Sequence, residues 1–463
     1  MGTLIQGGTV ITALDRDRAD VYCEGDKIAA IGPDLRHLAG SSDEVVDADG
    51  AYVFPGGIDP HTHFEFPFMG TVSADDFFDG TASAMAGGTT SVLDFVVPTR
   101  GEPLLDAAAR WHEKAAKSVG DYGFHMALVE ARDDVFADIP RVVHEAHIPS
   151  FKAFMAYKGT VGVDDEVLVR FLKTVTAAGG VLWLHAENGD AIADRQRDLL
   201  AQGKTHPRWH ARSRPPELEA EAVHRALVLA DLVHAPVGVV HMSSADAYRA
   251  FAEARVRGQE AFAETCPQYL VLDDSVYDQP DFEGAAYVMS PPIRPAGHSD
   301  WLWKGLANGL IRTVGTDHCP FRQADQKVLG RDDFTKIPNG GPGVENRLEL
   351  LWHFGVAQGR FDAHRFVEVT STNVAKQYGL YPRKGAVRVG ADADLVVLDP
   401  RAPKTLSTAT DHSRCDRSLY EGVEVSGSVR HVVAQGQVRF TEGDLRVERG
   451  AGRFLPRDGR RPA

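Results

Sequence analysis

The feature that most constrains the fold is a regular alternation of short apolar segments with longer amphipathic ones through the middle of the chain. The segments between the short ones, such as PELEAEAVHRALVLADLVH, repeat apolar residues every three or four positions, as a helix with one buried face requires. Eight short segments have the length and turn-residue boundaries of buried strands: YVFPGGIDPHTH, TTSVLDFVV, YGFHMALV, PSFKAFMA, GVLWLHAE, PVGVVHMS, EAFAETC and IRTVGTD. Eight strand–helix units predict an α/β fold, a TIM-like (β/α)8 barrel. A doubly wound open sheet is the alternative, but no GxGxxG loop follows the first strand.

Both ends of the chain have a different pattern, in which Gly and Asp separate alternating apolar residues. Examples are TLIQGGTVIT near the start and ADLVVLDP and GSVRHVVAQGQVRF near the end. We therefore expect a small β-sandwich built from both termini, with domain limits at 1–53 and 383–463 around a barrel at 54–382. The basic stretch after Arg453 is predicted to be frayed.

Charge, hydropathy and cysteine content argue against several kinds of partner, location and metal site. The net charge is −15, which disfavours nucleic acid and anionic membrane surfaces as partners. No apolar run approaches the length of a membrane span, and the first residues lack the basic and apolar regions of a signal peptide. The four cysteines are far apart and form no CxxC, which predicts a cytoplasmic location and no thiolate zinc site.

Histidines and one aspartate stand where predicted barrel strands end. His61 and His63 close the first strand, and residues two apart on a strand point to one face. His185 ends the fifth strand, His241 the sixth, and Asp317 the eighth. The carboxyl ends of barrel strands form one face, so these side chains are expected to meet there as a metal site.

Lys152 lies in the middle of the fourth apolar segment and is predicted to approach the same point. Three roles compete for a lysine there: a Schiff-base nucleophile, an amine that reaches out to water, or a carbamate formed with carbon dioxide. Four imidazoles and one carboxylate suit two divalent metals but lack a bridging group. A carbamate would supply an anionic bridge, and two nearby cations would favour it over an ammonium.

The chain resembles the cyclic amidohydrolases, and among them the dihydropyrimidinase/D-hydantoinase group. The resemblance covers nearly the whole chain and is carried by GGIDPHTHF, SFKAFMAYKG, WLHAENGD, VVHMSS, AETCPQYL, MSPPIR, VGTDHCPF and IPNGGPGVENR. It implies a TIM-like barrel with a β-sandwich, a homotetramer, and a hydrolase that opens hydantoins or dihydropyrimidines.

The same resemblance implies a set of metal ligands. It implies that His61, His63 and Asp317 bind the more buried of two zinc ions. It implies that His185 and His241 bind the more exposed ion and that Lys152, as N6-carboxylysine, bridges both. Imidazole and carboxylate ligands would also accept Mn²⁺ or Co²⁺.

Catalytic and substrate contacts are implied in the same way. Tyr157 is expected to donate its hydroxyl to the oxyanion, and Asp317 to carry the proton to the leaving nitrogen. Ser290 and Asn339 are expected to hold the cyclic amide, largely through backbone groups. The residues expected to face the exocyclic substituent are Phe66, Phe68, Phe154 and Val161.

Three rival functions stay open at this point. Dihydroorotases usually continue the HxH motif with an arginine for the substrate carboxylate, whereas Phe64 and Glu65 follow here, and an acidic residue would repel an anion. Allantoinases usually lack MAYKG. A catalytically silent scaffold of the same fold would need a reason to keep all six ligand positions.

Overall fold

The first part of the chain forms short strands, with turns between them. The computed structural model describes residues 2–459 of the protein. These strands are β1 (Gly2–Gln6), β2 (Thr9–Ile11), β3 (Arg16–Arg18), β4 (Asp20–Glu24), β5 (Lys27–Gly32), β6 (Glu44–Asp47) and β7 (Tyr52–Pro55). Four of them make a sheet in the order β5-β4-β1-β6. The other three leave this sheet and join strands from the end of the chain.

The middle of the chain forms the barrel. Its strands are β8 (Gly57–Thr62), β9 (Pro67–Phe68), β10 (Thr71–Val72), β11 (Thr89–Val96), β12 (Asp121–Ala127), β13 (Ser150–Phe154), β14 (Val181–His185), β15 (Val237–Val239), β16 (Ala261–Thr265) and β17 (Thr313–Val314). β9 and β10 form a separate antiparallel hairpin. The other eight are parallel, in the order β17-β16-β15-β14-β13-β12-β11-β8. The Asp317 N–H donates to the His61 carbonyl at 2.9 Å and closes the ring between the last strand and the first. The predicted TIM-like barrel is confirmed.

Helices follow the barrel strands and cover them from outside. The α-helices between residues 2 and 459 are α1 (Phe77–Ala86), α2 (Leu104–Ala115), α3 (Asp133–His144), α4 (Asp165–Ala177), α5 (Gly189–Ala201), α6 (Arg208–Ser213), α7 (Pro216–Leu232), α8 (Ala245–Val256), α9 (Pro267–Val271), α10 (His298–Asn308), α11 (Arg347–Leu350), α12 (Ala363–Val367) and α13 (Asn373–Gln377). Asp164 caps α4 by accepting from the Val167 N–H, and α4 buries Leu168 and Phe171 against the barrel. Within the described residues, no helix has both the length and the apolar character needed to cross a bilayer.

The last strands complete a small β-sandwich together with the first ones. They are β18 (Leu395–Thr405), β19 (Glu424–Ala434), β20 (Gln437–Thr441) and β21 (Asp444–Leu445). They extend a seven-stranded sheet in the order β21-β20-β19-β18-β7-β2-β3, in which β18 pairs antiparallel with β7. Ile5 and Val21 from the four-stranded sheet pack with Val53 and Leu395 from this one in a shared apolar core. A sandwich formed by both termini is therefore present, while the domain limits at residues 53 and 382 stay a prediction.

The prediction of a frayed end after Arg453 is wrong for the residues described. The Tyr122 N–H donates to the Arg453 carbonyl at 2.9 Å, and the Leu455 N–H donates to the Tyr122 carbonyl at 2.7 Å, so the segment runs along β12. Leu455 is fully buried and Phe454 packs on the barrel core. Apolar burial thus outweighs the basic character of this stretch. Residues 460–463 lie outside the described part.

A buried lysine joins the barrel to the sandwich. Lys384 lies with its ammonium 2.5 Å from Asp121 at the start of β12 and 3.1 Å from Asp392, and it also contacts Asp394. Burial disfavours the ammonium, but the carboxylates of Asp394 and Asp121 outweigh this effect and raise the pKa of Lys384. Its ion pairs therefore stabilise the folded protein below the pKa of an unfolded-state lysine, which includes neutral pH.

Lys384→Met is expected to lower the free energy of unfolding by about 3–5 kcal/mol at pH 7, because three buried carboxylates lose their shared cation. Denaturant-induced unfolding would measure this change. The matched control is Lys27→Met, since Lys27 also contacts Asp392 but its side chain is 46% exposed, and a loss below about 1 kcal/mol is expected there. Equal losses of unfolding free energy in the two variants would contradict the conclusion that the buried ion pairs of Lys384 stabilise the fold more than the exposed one of Lys27.

Candidate metal centre

Six side chains meet at the carboxyl ends of the barrel strands. His61 and His185 lie on β8 and β14, and Lys152 is in the middle of β13 with its side chain turned into the barrel. His63, His241 and Asp317 come just after β8, β15 and β17. The structure thus brings all six predicted ligand positions to one face, and five of them are buried or nearly so; Asp317 is 17% exposed at its side chain.

Five of the six residues form two groups, and Lys152 lies beside the first of them. In the first group, Nε2 of His61 lies 3.2 Å and Nε2 of His63 lies 3.1 Å from Oδ1 of Asp317. In the second, Nδ1 of His185 faces Nε2 of His241 at 3.1 Å. The Lys152 amine lies 3.4 Å from Nε2 of His61, next to the first group. Nitrogen and oxygen atoms that converge in this way are the donor set of a divalent metal site.

Carboxylates behind the imidazoles decide which ring nitrogen faces the centre. Oε1 of Glu264 lies 2.7 Å from Nδ1 of His61 and leaves Nε2 directed inward. Oε2 of Glu187 lies 2.7 Å from Nε2 of His185 and leaves Nδ1 directed inward. Such carboxylate–histidine pairs orient metal ligands and increase their basicity. The donor set therefore suits bound metal ions.

Glu187 is itself held by a buried cation. The Arg214 guanidinium donates to Oε2 of Glu187 at 2.7 Å, and both side chains are at most 5% exposed. Burial alone would raise the pKa of Glu187, but Arg214 and His185 outweigh this effect and lower it to about 2. The carboxylate consequently stays ionised and keeps its hold on His185.

Burial acts on Lys152 in the direction that carbamate chemistry requires. Desolvation lowers the pKa of Lys152 to about 8, although the carboxylates of Asp317 and Glu264 oppose the shift. An amine with this pKa is partly neutral near pH 7, and the neutral amine is the form that reacts with carbon dioxide. Of the three roles considered for Lys152, an amine that reaches out to water is wrong, because the residue is 1% exposed.

Three residues of the site have strained backbone conformations. His241, Asp317 and Tyr157 have φ of 39°, 54° and 61°, in the left-handed region that residues with a side chain seldom adopt. Surrounding structure must hold such residues in place, and they occur preferentially at functional sites.

A cavity of about 120 Å³ opens above these residues. Its wall is aromatic on one side, where Phe66 and Phe68 stack with ring centroids 5.4 Å apart and Phe68 meets the edge of Tyr157. The predicted site residues on its lining are His63, Phe66, Phe68, Lys152, Phe154, Tyr157, Val161, His185, His241, Ser290, Asp317 and Asn339. Of the predicted site residues only His61 is absent from the lining, since it is fully buried beneath.

Ser290 and Asn339 line this cavity and have backbone groups without a hydrogen-bond partner. Among residues 2–459, neither the N–H nor the carbonyl of either residue has a hydrogen-bond partner. The Asn339 side-chain oxygen is likewise buried without a partner. Unpaired donors and acceptors on a cavity wall are available to water or to a polar ligand.

Two features of the site differ from the sequence reasoning. Glu65 does not face the cavity: its backbone has φ of 49°, and its carboxylate pairs with Lys117 at 2.7 Å, so its charge gives no argument against an anionic substrate. Glu264 and Arg214 were not singled out. A glutamate within the buried strand AFAET is as unusual as Lys152 in its own strand, and this signal could have identified Glu264.

A second group of carboxylates with metal-ligand spacing lies at the opposite end of the barrel, at Asp121, Asp392 and Asp394. The ammonium of Lys384 already contacts all three. That cluster is therefore an ion-pair network, and the candidate metal centre is the histidine site.

Comparisons with known proteins agree on one family. The model of the amidohydrolase family matches residues 52–439. The chain is 47% identical over 458 residues to the D-hydantoinase of Geobacillus stearothermophilus, an alignment that covers 99% of this chain and 97% of that protein. It is 44% identical over 453 residues to the dihydropyrimidinase of Arabidopsis thaliana, covering 98% and 85% respectively. The crystal structure of dihydropyrimidinase from Brevibacillus agri superposes with a TM-score of 0.97 and 47% identity over 100% of both chains.

Glu187→Gln is expected to weaken metal binding at the His185–His241 pair by roughly 10–100-fold, because the neutral amide no longer fixes the His185 ring. The His61 group keeps Glu264 and is expected to retain its ion. Zinc titration against a competing chelator would measure both affinities. Glu166→Gln, at an exposed position on α4, is the control. Loss of both ions together, or of neither, would contradict this role of Glu187.

Proposed function

The chain belongs to the amidohydrolase family, in the group of cyclic amide hydrolases that includes D-hydantoinases and dihydropyrimidinases, and we propose that it opens cyclic ureides with two bound divalent metal ions. The proposed reactions convert 5-substituted hydantoins to N-carbamoyl amino acids and dihydropyrimidines to N-carbamoyl β-amino acids. The observation that carries the proposal is one cavity whose lining includes three of the four imidazoles and the unpaired backbone groups of Ser290 and Asn339.

We assign the metal ligands from the two groups described above. His61, His63 and Asp317 would hold one zinc ion, and His185 and His241 the other. Lys152 lies beside the first group and would bridge the ions as its carbamate, N6-carboxylysine. When bound, two such ions supply an activated water near neutral pH and polarise the carbonyl under attack.

The protein's own residues would move the protons and stabilise the charge. Asp317 lies against both His61 and His63 and is partly exposed to the cavity, so its carboxylate can accept a proton from the attacking water and return it to the leaving ring nitrogen. Tyr157 lines the same cavity with its ring 5.3 Å from the ring of His185. Its hydroxyl would donate to the oxygen that becomes negative during attack.

Cavity chemistry favours a neutral ureide ring with an apolar substituent. A cyclic ureide presents N–H and C=O groups side by side on one edge, which matches the free backbone groups of Ser290 and Asn339. Phe66, Phe68, Phe154 and Val161 would contact the exocyclic group. Among residues 2–459, no arginine contributes to the lining, and Lys152 is its only lysine. This argues against dihydroorotase-like chemistry, whose substrate carboxylate needs a cation; an allantoinase-like specificity or a silent scaffold has no observation in its favour.

We propose that the protein is a cytoplasmic homotetramer. The four cysteines are all buried and unpaired, which supports residence in the reducing cytoplasm. A homotetramer is proposed from the family resemblance alone, and the mass of the protein in solution would test it.

Hydrolysis of dihydrouracil and of a D-5-aryl hydantoin, with metal content measured in the same sample, tests the proposed function directly. About two zinc ions per chain and ring opening of either compound are expected. Full metal loading without turnover of either compound would contradict the proposed substrate class.

Lys152→Ala is expected to abolish ring opening and to leave less than the full metal complement, because no bridging anion can form. Lys158→Ala is the matched control: Lys158 lies in the loop that follows β13 and pairs with Asp190 at the surface. In wild type, ¹³C-bicarbonate with zinc should restore activity to the metal-free protein and give a carbamate signal by NMR. Recovery with zinc alone under carbon-dioxide-free conditions would contradict the carbamate.

Tyr157→Phe is expected to lower kcat by about 10²–10³-fold with little change in KM, because the lost hydroxyl acts on the oxygen only as it becomes charged. Steady-state kinetics on dihydrouracil would measure this. Tyr122→Phe, at the opposite end of the barrel, is the control. A variant that changes KM alone would assign Tyr157 to substrate binding instead.

A further inference from the structure

Lys327 is a buried lysine that none of the steps above uses. It begins a short 3₁₀ turn (Lys327–Gly330) and is 1% exposed. Its ammonium donates three hydrogen bonds to main-chain carbonyls: Val288 at 2.9 Å, Pro338 at 2.7 Å and Gly340 at 2.6 Å. Two of these carbonyls flank Asn339, and the third lies two residues before Ser290.

These carbonyls, rather than a carboxylate, stabilise the positive charge of Lys327. Among residues 2–459, the titratable groups that face it are Cys415, Cys319 and His210, and none is a carboxylate. Burial therefore lowers the pKa of Lys327 to about 7. Three carbonyl acceptors match the three N–H groups of an ammonium, whereas a neutral amine has only two.

These contacts fix both peptide groups of Asn339. In a trans peptide the C=O and the next N–H point in opposite directions. The Pro338 carbonyl points to Lys327, so the Asn339 N–H points away from it. The Gly340 N–H donates to the Val288 carbonyl at 2.9 Å, so the Asn339 carbonyl points away from that contact. Both free groups of Asn339 thus face away from the lysine, and Asn339 lines the cavity.

The segment that carries Ser290 is bonded to the same ammonium group. The Val288 carbonyl accepts from Lys327 and from Gly340, which ties the two cavity segments to each other. The next carbonyl, of Met289, lies 2.8 Å from Nε2 of His210. One ammonium therefore joins the two segments whose backbone groups are free.

We propose that Lys327 is a positioning residue that aligns the backbone of Asn339 and Ser290 to bind the N–H and C=O edge of the ring. This inference rests on the proposed function, since a ring edge must be bound for its alignment to matter. Lys327 itself does not touch the cavity and takes no part in the bond-breaking steps. Its effect is accordingly expected in ground-state binding of the ring more than in chemistry.

Lys327→Met tests this in the metal-loaded protein, because methionine fills a similar volume and donates no hydrogen bond. KM for dihydrouracil is expected to rise at least about tenfold, with kcat within about threefold of wild type, since misaligned backbone groups weaken the bound ring. Metal content is expected to be unchanged. Lys336→Met is the control on the same segment, as Lys336 has 71% of its side chain exposed, and wild-type KM is expected there.

Two further variants keep the test decisive if Lys327→Met does not fold. Lys327→Gln retains two N–H donors without charge and should give an intermediate KM; Lys327→Arg retains charge and donors and should give the smallest change. Folded variants with full metal and wild-type KM, or with a loss in kcat alone, would overturn the inference while leaving the proposed function standing. A wild type that opens no cyclic ureide would overturn both.

Discussion

Two main-chain hydrogen bonds across the closing seam of the barrel hold the candidate metal centre together. The Asp317 N–H donates to the His61 carbonyl, and the His63 N–H donates to the His318 carbonyl, each at 2.9 Å. The ligands of the first group come from the first and last barrel strands, which are far apart in the sequence. They meet only when the ring closes, so the same eight strands in an open sheet would keep these ligands apart. Closure of the fold and assembly of the site are one event.

Features with a regular local signal were predictable from the sequence. The eight apolar segments become the eight barrel strands, although β15 and β17 have only three and two residues. Histidines at strand ends were expected on one face because parallel strands in a barrel end together. The apolar character of a segment and the spacing of its apolar residues can be read from a short stretch of sequence. The family motifs contain the same strand-end residues.

Features that depend on distant partners were not predictable in this way. Glu264, Arg214 and Lys327 are buried ionisable side chains, and what each does follows from groups brought close only by folding. The prediction that the Glu65 carboxylate would repel an anionic substrate had no basis in the fold. Glu65 itself has a left-handed backbone conformation, and its carboxylate pairs with Lys117 instead of facing the cavity. A charge in a sequence reports its sign but not the direction of its side chain.

The sandwich sheet pairs β7 with β18, so that Pro55 lies opposite Leu395. The ribosome therefore completes β7 long before the strand it pairs with has been made. During synthesis β2 can cover one edge of β7, but the backbone N–H and C=O groups on the edge that will face β18 have no permanent partner, while the barrel between the two strands can already form. A nascent chain of this architecture therefore presents an unpaired strand edge for most of its translation. Association of this edge with a strand of another chain is a greater hazard in this interval than in the finished enzyme.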